Sequence, residues 1–206
     1  MASPDPAGRP LTDFEQVLLG LIANGPSSGY GLKKLFNESP ASVYQPSPGA
    51  LYPALRRLED RGLLQAEKQV SAGRRAQRLY RVTEAGRAVH LDWLREPVAP
   101  DSVVTDLGLH LMRFALMENN LPREAVLAFL ADLASALEGF VSGVERYVSG
   151  PGQSLPRHAV LALEHGIVMH QASLEWARST MAALSEPQPR PVPETPGSRA
   201  PRPAEA

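Results

Sequence analysis

Arginines are concentrated in one short stretch of the sequence, and their chemistry suits phosphate. Between residues 56 and 81 there are 8 basic and 3 acidic side chains. A guanidinium group stays charged and donates two parallel hydrogen bonds in one plane, a geometry that matches phosphate oxygens. The stretch therefore predicts a surface that binds a polyanion, with a solvated charged face paired to Glu59 and Asp60 as the alternative. The arginines that we expect to bind are Arg56, Arg57, Arg74, Arg75 and Arg78.

Two other polar side chains could add phosphate contacts. Lys33 lies on the outward side of a predicted helix, where it could touch a phosphate group, although exposed helix lysines often make no specific contact. Ser47 precedes Pro48 at the start of the next helix, so its hydroxyl suits an N-cap and could also bond a phosphate. The free N–H groups at that helix start favour an anion as well.

Other kinds of chemistry find little support in the sequence. The chain of 206 residues has no cysteine, which excludes disulfides, thiolate metal sites and a thiol nucleophile. His158, His165 and His170 are separated by gaps of seven and five residues, so they do not share one helix face as metal ligands would. Serine and aspartate form no nucleophile motif, and no Gly-rich phosphate loop is present. We therefore expect no enzyme activity, no metal and no cofactor.

The elements that must position the arginines begin with three helices. Residues 12–23 carry apolar side chains at helical spacing after a Thr12 or Asp13 cap, and the pair at 27–28 can cap a second helix that ends before residue 39. A third helix runs from residue 47 to Gly62, and Pro53 should loosen its first turn. The inward positions that we expect on the second and third helices are Leu32, Leu35, Phe36, Leu51, Leu55 and Leu58.

A hairpin and a fourth helix follow. Residues 64–70 and 77–82 alternate between apolar and polar side chains around a turn at residues 71–75. Thr83 then caps a fourth helix. Three helices, a two-stranded wing and a further helix make the order of a winged helix-turn-helix, whose third helix enters the major groove of DNA. The basic stretch would then lie on that helix and on the wing.

The C-terminal half differs from the N-terminal half in charge and in pattern. Residues 11–95 hold 12 basic and 8 acidic side chains, a net charge of +4, whereas residues 96–185 hold 5 and 10, a net charge of −5. Three further helices are predicted, over about 103–117, from 121 onward and from 155 onward. The apolar stripe of the first would be formed by Leu107, Leu111, Phe114 and Ala115.

Apolar seams on these helices point to a second copy of the chain. Their side chains repeat every three and four residues, the spacing of helices that pack along their length. One helix pair of this size leaves apolar surface uncovered, so we expect a homodimer. The interface residues are predicted to be Leu111, Phe114, Leu163, Ile167, His170 and Leu174.

The whole chain is expected to be mainly α and to have four parts. Residues 1–10 and the tail at 186–206, which holds 7 of the 20 prolines, are predicted to be disordered. Residues 11–95 would form the winged-helix DNA-binding domain, and residues 101–185 an all-helical dimerisation and effector domain. No apolar run approaches the ~20 residues that cross a bilayer, and the N-terminus lacks a secretory pattern. We therefore expect a cytoplasmic protein with no membrane partner.

Three stretches carry a family resemblance: LTDFEQVLLGLIANGPSSGYGLKKLF at 11–36, SPGALYPALRRLEDRGLL at 47–64 and GRRAQRLYRVTEAGR at 73–87. In order and spacing they resemble the PadR family of bacterial transcriptional regulators. The acidic half is similar to the family's longer helical C-terminal domain by pattern only. The resemblance implies a homodimeric repressor whose third helix and wing contact operator DNA. Ser28 is a departure, because members often have a histidine before the Gly-Tyr pair.

The resemblance also implies roles for individual residues. Tyr52 would reach a phosphate or a base edge from the third helix, with a half-buried tyrosine packed on the wing as the alternative. Members commonly respond to small aromatic or lipophilic compounds. Trp93 and Trp176 could stack such an effector in a cavity at the dimer interface, with ordinary packing of both rings as the alternative. The alternative function is a winged-helix module that binds a protein without specific DNA binding.

Overall fold

The computed structural model describes residues 9–38, 49–69 and 77–186. In its N-terminal part, which we call the winged-helix segment (residues 13–95), the elements are α1 Asp13–Ala23, β1 Ser27–Ser28, α2 Gly29–Glu38, α3 Leu51–Asp60, β2 Leu64–Gln69, β3 Gln77–Val82 and α4 Glu84–Arg95. The C-terminal helical segment (residues 102–185) consists of α5 Ser102–Thr105, α6 Leu107–Met117, α7 Arg123–Ser149, a short 3₁₀ turn at Pro151–Ser154 and α8 Arg157–Ser185. The expected winged helix followed by helices is confirmed.

Helix α1 is the central helix of the winged-helix segment. It begins with a capping box: the Thr12 hydroxyl accepts a hydrogen bond from the backbone N–H of Glu15, and the Glu15 carboxylate accepts one from the N–H of Thr12 at 2.9 Å. Helix α4 packs closely against α1, because Gly20 has no side chain. A Cβ atom at Gly20 would lie 2.6 Å from Cε1 of the fully buried His90.

Helix α3 begins later than the sequence predicts. Its first residue is Leu51, whereas Ser47 and Pro48 lie outside the described residues. Pro53 then falls in the first turn, where an N–H would have no helical acceptor, so no hydrogen bond is lost. The expected loosening of this turn is wrong, since the Ala54 N–H bonds the Ala50 carbonyl in α-helical geometry at 3.1 Å.

The end of α3 agrees with the sequence prediction. Gly62 adopts a left-handed backbone with φ of 70°. The N–H of Leu63 bonds the carbonyl of Leu58 at 2.9 Å, and the N–H of Gly62 bonds that of Glu59 at 2.8 Å. This pair of bonds is a Schellman motif, which favours glycine at its left-handed position. The motif turns the chain directly into β2.

The wing hairpin is confirmed, and the structure adds a third strand to it. Strands β2 and β3 pair antiparallel from Leu64 opposite Val82 to Gln69 opposite Gln77. Strand β1 pairs with the other edge of β3, with Ser27 opposite Tyr80. The sequence predicts a helix cap for Ser27 and Ser28. Ser28 pairs with β3 and also caps α2, because its hydroxyl accepts a hydrogen bond from the Gly31 N–H at 3.0 Å. The pairing ties the start of α2 to the wing.

The predicted apolar faces are correct for α3 but not for α2 and α6. Leu35 of α2 is 47% exposed, so its expected inward position is wrong. The predicted helix at 103–117 is divided at Asp106, and its expected stripe is wrong as well. Leu107, Leu111 and Phe114 are only half-buried and Ala115 is exposed, whereas the buried side chains are His110, Arg113, Leu116 and Met117. Arg113 faces inward because the last carbonyl groups of α4 require hydrogen-bond donors there.

Helices α7 and α8 form a long antiparallel hairpin. Arg178 of α8 pairs with Glu138 of α7 at 2.9 Å, and Gln171 bonds Glu145 at 3.1 Å. Among the described helices, α7 alone is long and apolar enough to cross a membrane by length and composition. Its apolar face is occupied by protein, however, since Leu130, Leu133 and Leu137 are fully buried. A core helix passes the same test.

One hydrophobic core extends through both segments. Its buried side chains extend without interruption from Phe14 in α1 to Ala177 in α8, and they include Val98 in the connecting stretch. Packing thus continues across the stretch between the two domains that the sequence predicts. The division into two domains stays a prediction.

Candidate nucleic-acid interface

Helix α3 has one face in the core and one in solvent. Leu51, Ala54, Leu55 and Leu58 are buried against α1 and the neighbouring elements. Tyr52 and the two arginines at 56–57 are exposed on the opposite face, as the sequence predicts. The face is presented to solvent without an adjoining element that covers it in the described chain.

A cleft of about 310 Å³ lies between α3, the start of α2 and strand β3. Tyr52 forms part of it, and its ring lies directly on Gly29. A Cβ atom at Gly29 would be 2.7 Å from Cε1 of this ring, so only glycine leaves room for it. The lining residues are Ser28, Gly29, Tyr30, Tyr52, Arg56, Gln77, Arg78 and Tyr80. Aromatic rings and guanidinium groups thus share one concave surface.

Sequence reasoning missed Tyr30. This side chain is 67% exposed at the start of α2 and borders the cleft beside Tyr52. The signal that would have found it is the pairing of β1 with β3, which brings residues 27–30 beside the wing. A strand of two residues has no periodicity to detect.

The two neighbouring arginines of α3 have different surroundings. Nε of Arg57 donates to Oε1 of Glu15 at 2.6 Å, and Glu15 is only 2% exposed. Burial alone would raise the pKa of Glu15, but hydrogen bonds from Thr12 and Arg57 outweigh it and lower the pKa below its usual range. Arg56 makes no ion pair with any described residue. Arg57 therefore supports the fold, whereas Arg56 is free to meet a ligand.

The arginines of strand β3 also have acidic neighbours. Arg78 forms a short ion pair with Glu59 of α3 and lies over the ring of Tyr80, 5.7 Å from its centroid. Hydrogen bonding to Glu59 raises the pKa of Arg78. Arg81 lies 3.5 Å from the carboxylate of Glu67 on the adjacent strand. The alternative of local carboxylate pairing thus applies to part of the basic stretch.

The remaining residues that we predict to contact DNA lie partly inside and partly outside the described part of the chain. Lys33 is exposed on α2, and no described carboxylate pairs with it. Its neighbour Lys34 lies 3.7 Å from Glu38 on the same helix. Ser47, Arg74 and Arg75 lie outside the described residues, so their roles stay predictions.

The sequence comparisons identify the family. Residues 18–91 match the family model described as transcriptional regulator PadR-like family. Over this segment the chain belongs to the PadR-like family. It is therefore a transcriptional regulator, and its relatives below are regulators and not enzymes.

Relatives of this PadR-like chain include regulators of Mycobacterium tuberculosis and Bacillus subtilis. It is 24% identical over 173 residues to a probable transcriptional regulator of Mycobacterium tuberculosis, covering 78% of this chain and 91% of that protein. A second transcriptional regulator of that organism is 60% identical over 45 residues, which is 22% of this chain and 41% of that protein. The negative transcriptional regulator PadR of Bacillus subtilis is 28% identical over 97 residues, which is 47% of this chain and 53% of that protein.

Solved structures are less similar. The crystal structure of Bacillus subtilis PadR in complex with operator DNA has 19% sequence identity and a TM-score of 0.41, covering 84% of this chain and 100% of that chain.

In this PadR-like chain the predicted dimer residues of α8 already have partners. Leu174 is buried against the core, and Leu163 and Ile167 are half-buried. The His170 ring lies 4.3 Å from that of Phe140, and its Nδ1 and Nε2 lie 2.7 Å and 3.3 Å from the backbone oxygens of Gly166 and Val103. Packing within one chain accounts for these contacts, and a role between copies stays a prediction.

The two tryptophans lie in different surroundings. Trp93 is buried, with His90 at 5.8 Å between ring centroids and the Arg113 guanidinium 5.5 Å above its ring. Trp176 is half-buried on α8, and Phe114 meets it edge to face at 5.3 Å. Their predicted role in binding an effector stays a prediction.

Proposed function

We propose that this PadR-like regulator binds double-stranded DNA as a homodimer and represses transcription from a palindromic operator. Helix α3 would enter the major groove and the wing would follow the adjoining backbone. The observation that carries this proposal is the exposed face of α3, where Tyr52 and Arg56, which has no ion pair with a described residue, border one cleft with Tyr30.

Chemistry divides the residues of this surface between two tasks. Arginine and tyrosine on a helix in the major groove can read base edges, and we assign this to Arg56 and Tyr52. Cations on α2 and the wing would bind phosphate, which positions the protein without reading sequence. We assign that task to Lys33 and Arg78, and to Arg74 and Arg75 beyond the described residues. Arg57 contributes chiefly to the fold, through its hydrogen bond to Glu15.

We extend this proposal to repression of transcription and to induction by a small effector. The name of the Bacillus subtilis relative, a negative transcriptional regulator, supports repression. A cavity of about 640 Å³ between α6, the start of α7 and the end of α8 supports a small aromatic or lipophilic effector, because Phe114, Leu121 and Val126 give it an apolar lining. Its volume suits a small molecule. We place the protein in the cytoplasm, where DNA and such compounds are accessible.

DNA binding is tested with the purified full chain and duplexes from its own promoter region. Fluorescence anisotropy should give saturable binding with a 1:1 ratio of dimer to duplex. The logarithm of the binding constant should fall linearly with the logarithm of salt concentration, by about 0.9 per phosphate neutralised. Tyr52→Phe should alter the preference between promoter and random duplexes, whereas Lys33→Ala should weaken both equally.

The outcome against the proposal is equally clear. A chain that stays monomeric, or that ignores every duplex at low salt, has no DNA-reading function. That result would favour the winged-helix protein-interaction module.

A further inference from the structure

Arg113 is a cation in the interior of the fold. It is 4% exposed. Its Nη2 donates to the carbonyl oxygens of Trp93 at 3.1 Å and Leu94 at 3.4 Å, and to that of Glu96. These groups end α4, where the helix dipole is negative and the carbonyls lack the donors that a further helical turn would supply, although the Trp93 carbonyl also accepts from the Glu96 N–H at 3.2 Å. A positive side chain from α6 thus closes the last turn of the winged-helix segment.

The same guanidinium also contacts the C-terminal helical segment. Its Cζ lies 5.1 Å from the ring centroid of Phe129 on α7 and 5.5 Å from that of Trp93 on α4. Burial lowers the pKa of Arg113, and the charges of Glu96 and Asp13 oppose that change. Arginine stays protonated over the ordinary pH range. The cation is therefore held between α4, α7 and α1.

Apolar contacts make up much of the remaining contact between the two segments. Leu116 of α6 packs into the space beside Gly20 and His90. Such packing is non-directional, so it tolerates small rotations of one surface over another. A hydrogen bond weakens steeply as its angle departs from linear, so a donor shared by several carbonyls permits one orientation.

We infer that Arg113 is a positioning residue that fixes the angle between the winged-helix segment and the C-terminal helical segment. Its link to DNA rests on the proposed function. In a dimer joined through the helical segments, this angle would set the distance between the two α3 helices and thus the half-site spacing that the protein accepts.

Pulsed electron–electron double resonance measures the distance between two spin labels, one in each segment, and so reports the angle without DNA. The chain has no cysteine, so spin labels go only where cysteine is introduced. Gln65→Cys on β2 and Arg146→Cys on α7 are exposed positions in the two segments. Diluting labelled chains into unlabelled chains isolates the distance within one copy. The labelled chain with Arg113 intact should give one narrow distance distribution.

Arg113→Met keeps an unbranched apolar side chain, two atoms shorter than arginine, and removes the donors. We expect it to widen the distribution about twofold or to add a second distance, because non-directional packing and the exposed hydrogen bond from Asn120 to Asn24 at 3.0 Å then join the segments. Arg113→Lys restores a charge at the α4 carbonyls without the planar fork, so it should give an intermediate width. This graded rescue is not expected if Arg113 serves only to fill the core.

Two controls separate positioning from general loosening. A label pair within the helical hairpin, Arg146→Cys with Ala162→Cys, should keep its distance in Arg113→Met. Arg178→Met removes an exposed arginine that pairs with Glu138, and it should leave the distance between segments unchanged. The inference is overturned if Arg113→Met stays as narrow as the parent, or if the pair within the hairpin widens equally.

A DNA readout tests the consequence. Duplexes selected by the parent protein are lengthened by one base pair, about 3.4 Å, between the half-sites. The parent should lose affinity roughly tenfold or more, and Arg113→Met should lose much less, because its two α3 helices can adapt their spacing. A parent that binds no duplex contradicts the proposed function alone and leaves the resonance result to decide on Arg113. Equal losses in both proteins, with resonance widths that differ, would overturn the assignment of half-site spacing.

Discussion

At the scale of single residues, Arg56 and Arg57 form a matched pair on one helix. We expect Arg56→Ala to lower DNA affinity about tenfold, since a side chain that reads a base contributes about 1–3 kcal/mol, and to leave thermal stability unchanged. Arg57→Ala should leave DNA affinity unchanged and lower the free energy of unfolding. It deprives the buried Glu15 carboxylate of a donor, which costs about 1 kcal/mol or more of unfolding free energy. Anisotropy titration and urea unfolding of both variants check this, and a reversed pattern would contradict the assignment.

His90 makes stability depend on pH. Burial, with a smaller effect of Arg87, lowers the pKa of His90 to about 4, and neither ring nitrogen has a hydrogen-bond partner among the described residues. The unfolded chain, with an ordinary pKa of about 6.5, therefore binds a proton that the folded chain rejects. Stability from this group is full above pH 6.5 and falls as pH decreases towards 4, by about 2 kcal/mol at pH 5.

Substitution isolates this contribution. His90→Leu should remove it, so the unfolding free energy of the variant changes less between pH 7.5 and pH 5 than that of the parent. His158→Gln, at an exposed position, serves as the control and should behave like the parent. Parallel pH profiles for His90→Leu and the parent would refute the assignment.

At the scale of elements, the junction of β1 and α2 controls the cleft. Gly29→Ala would push a methyl group into the ring of Tyr52, so the ring must leave its position. We expect DNA affinity to fall about fivefold while stability changes little, because Tyr52 is 51% exposed and can move into solvent. Gly25→Ala is the matched control, since a Cβ there meets nothing within 4 Å. Anisotropy and thermal melts distinguish the two, and equal affinity for both variants would contradict this role of the junction.

Elements with local signals were predictable from sequence. The Thr12 capping box, the Gly62 cap and the apolar face of α3 depend on residues a few positions apart, and each is present. Long-range partners decided the rest. The inward face of α6 is set by carbonyl groups of α4, and the pairing of Arg57 joins residues 42 positions apart. No periodicity reveals such partners, so the pattern predicts which elements carry the described arginines, α3 and β3, but not which of these arginines are free and which are paired.

At the scale of the whole molecule, the continuous core predicts cooperative unfolding. Val98 and the buried side chains of α6 connect the two segments, so neither can open without exposing the other. Differential scanning calorimetry should give one transition whose calorimetric and van't Hoff enthalpies agree. Two separate transitions would indicate independent domains and contradict this expectation. Truncation after residue 101 should accordingly yield an unstable chain.

The ion pair between Arg78 and Glu59 has a consequence for selectivity. A DNA phosphate can bind this guanidinium only by displacing the Glu59 carboxylate. A side chain of α3 therefore competes with DNA for an arginine of the wing. Random duplexes, which offer phosphates and no favourable base contacts, face that competition unaided. At the operator, base contacts offset the cost of displacing Glu59. The negative charge of Glu59 thereby disfavours binding to duplexes of random sequence.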